Sequence, residues 1–128
     1  MHWIPSTFNG YLFLGTTLEQ VCFFQFSIGL TFISYDCIWT QTNNRKLIQI
    51  EGEWILRHGN EVMEHVNDYP MQSSKLLCAI GKKVIKFDIN REKNSILLHF
   101  ESNINIEILD TPNYEAYRID DGEHDFIV

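Results

Sequence analysis

The sequence predicts a mainly β fold: an antiparallel two-layer β-sandwich or flattened barrel, in which two meander repeats can be read, with one short helix. Two observations carry this. Apolar and polar residues alternate with period two through most of the chain from its middle onward. Aromatics make up 13% of the residues, with nine Phe and five Tyr, and flat rings pack well on pleated surfaces. At 128 residues the chain is sized for a single domain, 1–128, with its own core. An apolar fraction of 45% with 21% charged residues is ordinary for a folded globular protein.

The first elements come from a faint self-similarity. From Gly15 the chain runs GTTLEQVCFFQFSIGLTFISYDCIW, and from Gly81 it runs GKKVIKFDINREKNSILLHFESNINIEI. Setting Gly15 on Gly81 puts Leu18 on Val84 and Val21 on Phe87. With two residues inserted in the second turn, Ile28, Leu30 and Phe32 fall on Ile96, Leu98 and Phe100, and Ile38 on Ile106. Each unit reads as a three-stranded antiparallel meander with one apolar face, and two such faces bury each other when stacked.

In KLIQIEGEWIL, the even positions Ile48, Ile50, Trp54 and Leu56 share one face, and Gln49, Glu51 and Glu53 the other. Gly52 marks a bulge or a close backbone approach. The following stretch, 57–72, is polar and aperiodic and reads as the longest loop. SSKLLCAIG combines a Ser cap, good helix formers and a terminal Gly81, which predicts a helix over 74–80. Ile96, Leu98 and Phe100, then Ile104, Ile106 and Ile108, define two half-buried strands. The turns are 90–94, 101–103 and the Asp-Gly hairpin 120–123. In TPNYEAYRID, Tyr117 and Ile119 form the inward set of a closing strand, Glu115 shares that face near its end, and Tyr114 sits at the rim.

Few residue patterns here can do chemistry. None of the five histidines has the close spacing of a metal site; His58, His65 and Asp68 are the nearest approach to one, and solvated loop histidines are the expectation. No Gly-x-Ser-x-Gly elbow or phosphate-cradling glycine loop is present. Cys22, Cys37 and Cys78 each lie in an apolar segment, which predicts buried reduced thiols of a cytoplasmic protein. The carboxylate pairs Glu51/Glu53 and Asp120/Asp121 are expected to be solvated, and acid–base work requires burial. The expectation is therefore no enzyme, no catalytic residue, no metal and no cofactor. The start of the chain lacks a basic region and a small-residue cleavage site, and no apolar run approaches the roughly 18 residues of a membrane span. A membrane is thus not an expected partner.

Charge gives the clearest functional direction. Ten Lys and Arg stand against seventeen Asp and Glu, for a net charge of -7, which repels nucleic-acid phosphates and steers a basic protein surface inward. Between Asp110 and Val128, six carboxylates face the single base Arg118. A second acidic set comprises Glu51, Glu53, Glu61, Glu64 and Asp68, with Trp54 and Tyr69 close by in sequence. Acids rimming aromatic anchors suit docking to a basic partner. The candidate partner-binding residues are therefore Glu51, Glu53, Trp54, Glu61, Glu64, Asp68, Tyr69, Tyr114, Asp120, Asp121, Glu123 and Asp125.

The Tyr-Glu-Ala-Tyr-x-Ile block after the proline turn, with LGTTLEQVCF, LTF and LLCAIGKKVIKF before it, resembles a family of small uncharacterised bacterial proteins closed by a Tyr-Glu-Ser-Tyr block. This chain carries Ala116 at the Ser position. In size, charge and β-rich build it is also similar to immunity proteins of bacterial contact-dependent inhibition and polymorphic toxin systems. That resemblance implies a cognate toxin domain as partner, often a nuclease with a basic cleft. A small-ligand-binding β-barrel is the main alternative.

Overall fold

The computed structural model describes residues 2–34, 45–67, 73–111 and 115–128. The alternating segments become ten strands: β1 Thr17–Phe23, β2 Ile28–Ile33, β3 Arg45–Ile50, β4 Trp54–His58, β5 Glu61–Val66, β6 Val84–Asn90, β7 Ser95–Phe100, β8 Ile104–Ile108, β9 Tyr117–Asp120 and β10 Asp125–Ile127. They form two five-stranded antiparallel sheets, of order β1-β2-β3-β9-β10 (sheet A) and β5-β4-β8-β7-β6 (sheet B). Both sheets keep open edges, so the flattened-barrel alternative gives way to a sandwich. The inward set is the one that period two predicts. Ile28, Leu30, Phe32, Ile48, Ile50, Trp54, Leu56, Leu98, Ile106, Ile108 and Ile119 are each 0% exposed. Tyr117 joins them, and its hydroxyl donates to the Asn94 carbonyl at 2.8 Å.

The two meanders match strand for strand. In β1–β2 the pairs run Leu18–Phe32, Gln20–Thr31 and Val21–Leu30; in β6–β7 they run Val84–Phe100, Lys86–His99 and Phe87–Leu98. Each first strand is bulged at the same place, between Leu18 and Gln20 and between Val84 and Lys86. The third strands differ from expectation. Ile106 pairs with Leu98 as Ile48 pairs with Leu30, so Ile48 is the counterpart of Ile106. Ile38 lies outside the described residues; the first repeat has a longer connection between its second and third strands than that alignment assumed.

Three further readings change. The segment 57–72 is not one loop: β4 runs to His58, turns at Gly59 and Asn60, and returns as β5. The 74–80 helix is a 3-10 turn, Ser74–Ala79, with the Ser73 hydroxyl accepting from the Lys75 N–H at its start. A second such turn, Tyr11–Phe13, precedes β1 at the matching place in the first repeat, and a third, Glu101–Asn103, links β7 to β8. Finally, Cys78 is exposed and Cys22 half-buried, so neither is the buried thiol expected; Cys37 lies outside the described residues.

The predicted break at Gly52 is where the chain changes sheets. β3 belongs to sheet A and β4 to sheet B, with only Glu51, Gly52 and Glu53 between. β8 and β9 make the reverse step, and the two crossings are laced by Glu51 N–H to Ala116 O at 2.8 Å and Leu109 N–H to Glu53 O at 3.1 Å. A Cβ at position 52 would sit 2.9 Å from Thr111 Cγ2 and 3.4 Å from the Ala116 Cα. A side chain here would have to displace the Thr111 methyl, and glycine avoids that. Gly52→Val should therefore destabilise the protein by about 1–3 kcal/mol, the usual cost of overpacking, read as a lower midpoint in urea denaturation. An unchanged midpoint would show that the crossing tolerates a side chain.

Candidate functional site

The crossing at Gly52 also sorts the acids. Glu51 stays with sheet A, where Glu115 acts on it; Glu53 goes with sheet B, where its Oε2 lies 2.6 Å from His65 Nε2. The two acidic sets read from the sequence therefore do not form one surface. Glu53, Glu61 and Glu64 belong to the β4–β5 side of sheet B, while Asp120, Glu123 and Asp125 belong to the β9–β10 hairpin of sheet A. Asp68, Tyr69 and Tyr114 lie outside the described residues.

Two candidates are structural rather than exposed. Trp54 is 0% exposed and fills the core, so it is no docking anchor. Among the described residues its indole N–H meets no acceptor. Asp121 is 3% exposed and closes the β9–β10 turn: its Oδ1 accepts from the Glu123 N–H at 2.9 Å and the His124 N–H at 2.6 Å, and its Oδ2 lies 3.0 Å from His124 Nδ1. Glu115 is exposed, outside the inward set in which sequence parity placed it.

On the outer face of sheet B several acids meet side chains of the same sheet. Arg57 donates to Glu107 at 2.9 Å, His65 meets Glu53, and Asp88 takes His99 at 2.9 Å with Lys86 at 3.6 Å. Glu64 pairs with Lys75 at 3.6 Å. An open depression of about 200 Å³ on this side, at the β6–β7 hairpin, is lined by residues including Asp88, Leu97 and Glu107. Among the described residues, no three His, Cys, Asp or Glu side chains converge as a metal site would require.

Sheet A presents a different outer face. The register aligns Cys22, Gly29, Gln49, Arg118 and Ile127 across its five strands. Phe24, from the β1–β2 turn, lies over Gly29, with its Cε2 3.3 Å from where a Cβ would be. Phe24 is 53% exposed, Phe26 62% and Ile127 39%. Gln49 ties the end of that turn to β3 through Ser27 Oγ at 3.0 Å. Glu51 follows Ile50, which pairs with Ile28 at the start of β2, so the turn aromatics and Glu51 share one end of the sheet. Burial and then the Glu115 charge push the Glu51 carboxyl above its ordinary value. Arg118 is held by Asp125 through two bonds of 2.9 and 2.7 Å, which draw the Asp125 carboxyl below its ordinary value.

The candidate site is thus the exposed Phe24–Phe26 turn with Glu51 and Glu115 at one end of the outer face of sheet A. Asp120, Glu123, Asp125 and Ile127 belong to the β9–β10 hairpin, whose turn lies toward the other end, where Asp120 pairs with Leu47. The sequence reading missed its aromatic part. The signal was the run Phe23, Phe24, Gln25, Phe26: consecutive rings cannot all follow a period-two strand inward, so a surplus must face out. Cys78 is exposed, but desolvation raises its thiol pKa against the pull of Lys82, the reverse of what an activated nucleophile needs. No family model matches the chain, and no curated protein or solved structure is detectably similar to it. No helix among the described residues is long and apolar enough to cross a membrane.

Two measurements check this sorting of structural from surface acids. Asp121→Ala leaves two backbone N–H donors unsatisfied and should cost about 1–3 kcal/mol, whereas Glu123→Ala should leave the urea midpoint unchanged. The second concerns pH. Glu51, with its folded-state pKa raised, is penalised when charged: the stability it contributes is complete below its unfolded pKa and falls as pH rises through the folded one. Glu51→Gln should therefore raise the midpoint modestly at pH 7 and give no gain at pH 3. A gain that persists at pH 3 would mean that charge is not the cause.

Proposed function

We propose that this chain is a non-catalytic immunity (antitoxin) protein that takes the basic surface of a cognate bacterial toxin domain onto the outer face of sheet A. The observation that carries the proposal is the exposed Phe24–Phe26 turn set beside the like-charged Glu51 and Glu115. Two carboxylates kept close at a cost to the fold gain most when a cation arrives between them. Apolar rings beside acids also give a docking face its anchor and its rim. The internal comparison supports the same choice of face. Among the described residues, sheet B sets Glu53, Asp88 and Glu107 against its own His, Lys and Arg side chains, whereas the Glu51 carboxyl of sheet A lies beside the like charge of Glu115.

The open sheets, and an interior filled by Trp54, Tyr117, Phe8, Phe13, Phe32 and Phe100, favour protein docking over a small ligand held in a β-barrel. A toxin cleft that handles nucleic acid is basic, and a surface of this charge competes for it. In this reading the protein acts in the cytoplasm of the cell that makes the toxin, and contacts neither nucleic acid nor membrane directly.

The test is to capture the partner by pull-down from a bacterial lysate and follow association by surface plasmon resonance. The joint variant Glu51→Lys, Glu115→Lys, Glu123→Lys should slow association at low salt by on the order of tenfold or more. Phe26→Ala should instead speed dissociation, as loss of a central anchor does. Circular dichroism should show both variants folded. If salt and the triple reversal leave the association rate untouched, the acids of sheet A serve solubility and the proposal fails.

A further inference from the structure

The ten strands divide by repeat in a way that neither sheet can complete alone. Sheet A takes β1, β2 and β3 from the first repeat and the β9–β10 hairpin from the second. Sheet B takes β6, β7 and β8 from the second repeat and the β4–β5 hairpin from the first. Each repeat is a meander whose terminal hairpin is handed to the other repeat's sheet.

The contacts between repeats come in matched pairs. Gly15 N–H donates to Val84 O at 2.9 Å, and Gly81 N–H to Leu18 O at 2.8 Å. Val84 N–H donates to Thr16 O at 2.8 Å, and Leu18 N–H to Lys82 O at 3.1 Å. The bond from Glu51 to Ala116 has its counterpart in the bond from Leu109 to Glu53. Gly15 and Gly81 share a left-handed backbone, with φ of 80° and 84°. Trp54 pairs with Ile108 where Tyr117 pairs with Ile50, so one buried aromatic replaces the other. The residues that meet their own counterparts mark the axis: Thr17 bridges Lys83, and the Phe32 ring stacks on Phe100 with centroids 6.3 Å apart and planes 15° from parallel. This is the signature of an isologous contact, in which residue i meets j and j meets i.

We infer that the chain is a two-fold pair of subunits joined covalently through residues 67–73, and that the surface between its repeats is self-complementary and accepts a second copy of the repeat, including one supplied by another molecule of this chain. The inference does not depend on the proposed function. It makes the repeats obligate partners: a meander without the other's hairpin leaves an open strand edge and an uncovered apolar face.

The test uses the full chain with a protease site in place of residues 68–72, cleaved after folding. The two pieces should co-elute as one particle of 15.1 kDa size. Their urea midpoint should fall on dilution, as for any two-chain complex. When nicked protein carrying an affinity tag on the first repeat is mixed with untagged nicked protein in urea and refolded, the tag should recover untagged second repeat. Separation of the pieces without denaturant, or a native-like amide-protection pattern in one isolated piece, would overturn the inference. Native-state hydrogen exchange on the intact chain gives an independent reading. Core amides of Leu18, Ile48, Leu98 and Ile106 should open together, whereas protection of one repeat that outlasts the other would also overturn it.

Discussion

Everything in this fold hangs on two strands of backbone passing each other at Gly52 and Ala116. Hydrogen bonds across the crossing fix where each chain segment leaves one sheet and enters the other. Its length matters as much as its bonding. Three residues separate Ile50 from Trp54, which keeps the even-numbered side chains facing inward on both sides of the step. A crossing shifted by one residue would turn Trp54 and Leu56 to solvent and strand Ile55 in the core. The absence of a side chain at Gly52 leaves the Thr111 methyl in place beside so short a passage between sheets.

Most of this architecture was legible because burial was one-sided. β7 and β8 are bounded by turns and alternate cleanly, so sequence parity and observed burial agree residue for residue at Ile96, Leu98, Phe100, Ile104, Ile106 and Ile108. β5 was illegible for the complementary reason: it is an edge strand with only Val66 fully buried, so Glu61, Val62, Glu64 and His65 carry no period to read. The repeat was visible through its apolar positions, but the exchange of hairpins was not, since parity records which face a residue takes and not which sheet it joins. The candidate site was half legible. Its acids stand out by charge, but which of them share a face depends on the crossing at Gly52, and its aromatics were hidden in a segment that continues a strand-like apolar run.

The same logic explains why charge density in sequence misled at Trp54 and Asp121. Trp54 lies next to Glu53 in the chain, yet successive residues on a strand point to opposite faces, so the acid is on the outer side and the ring is in the core. Asp121 lies between an acid and a glycine, and its carboxylate is used up by the turn it closes. Proximity in sequence is a poor guide to shared surface wherever the backbone is extended or tightly turned.

The bulges that mark the two repeats have a consequence for how the molecule keeps company. Four strands form the rims of the two sheets: β1 and β10, β5 and β6. β1, β5 and β6 each have an irregular register against their neighbour, and β10 is only three residues long. A kinked or truncated rim offers no straight ladder of donors and acceptors for a foreign strand to zip onto. An open-edged sandwich would otherwise be a template for endless strand addition and fibre growth. Here the rims are blunted, which leaves the broad sides as the places where another molecule can settle.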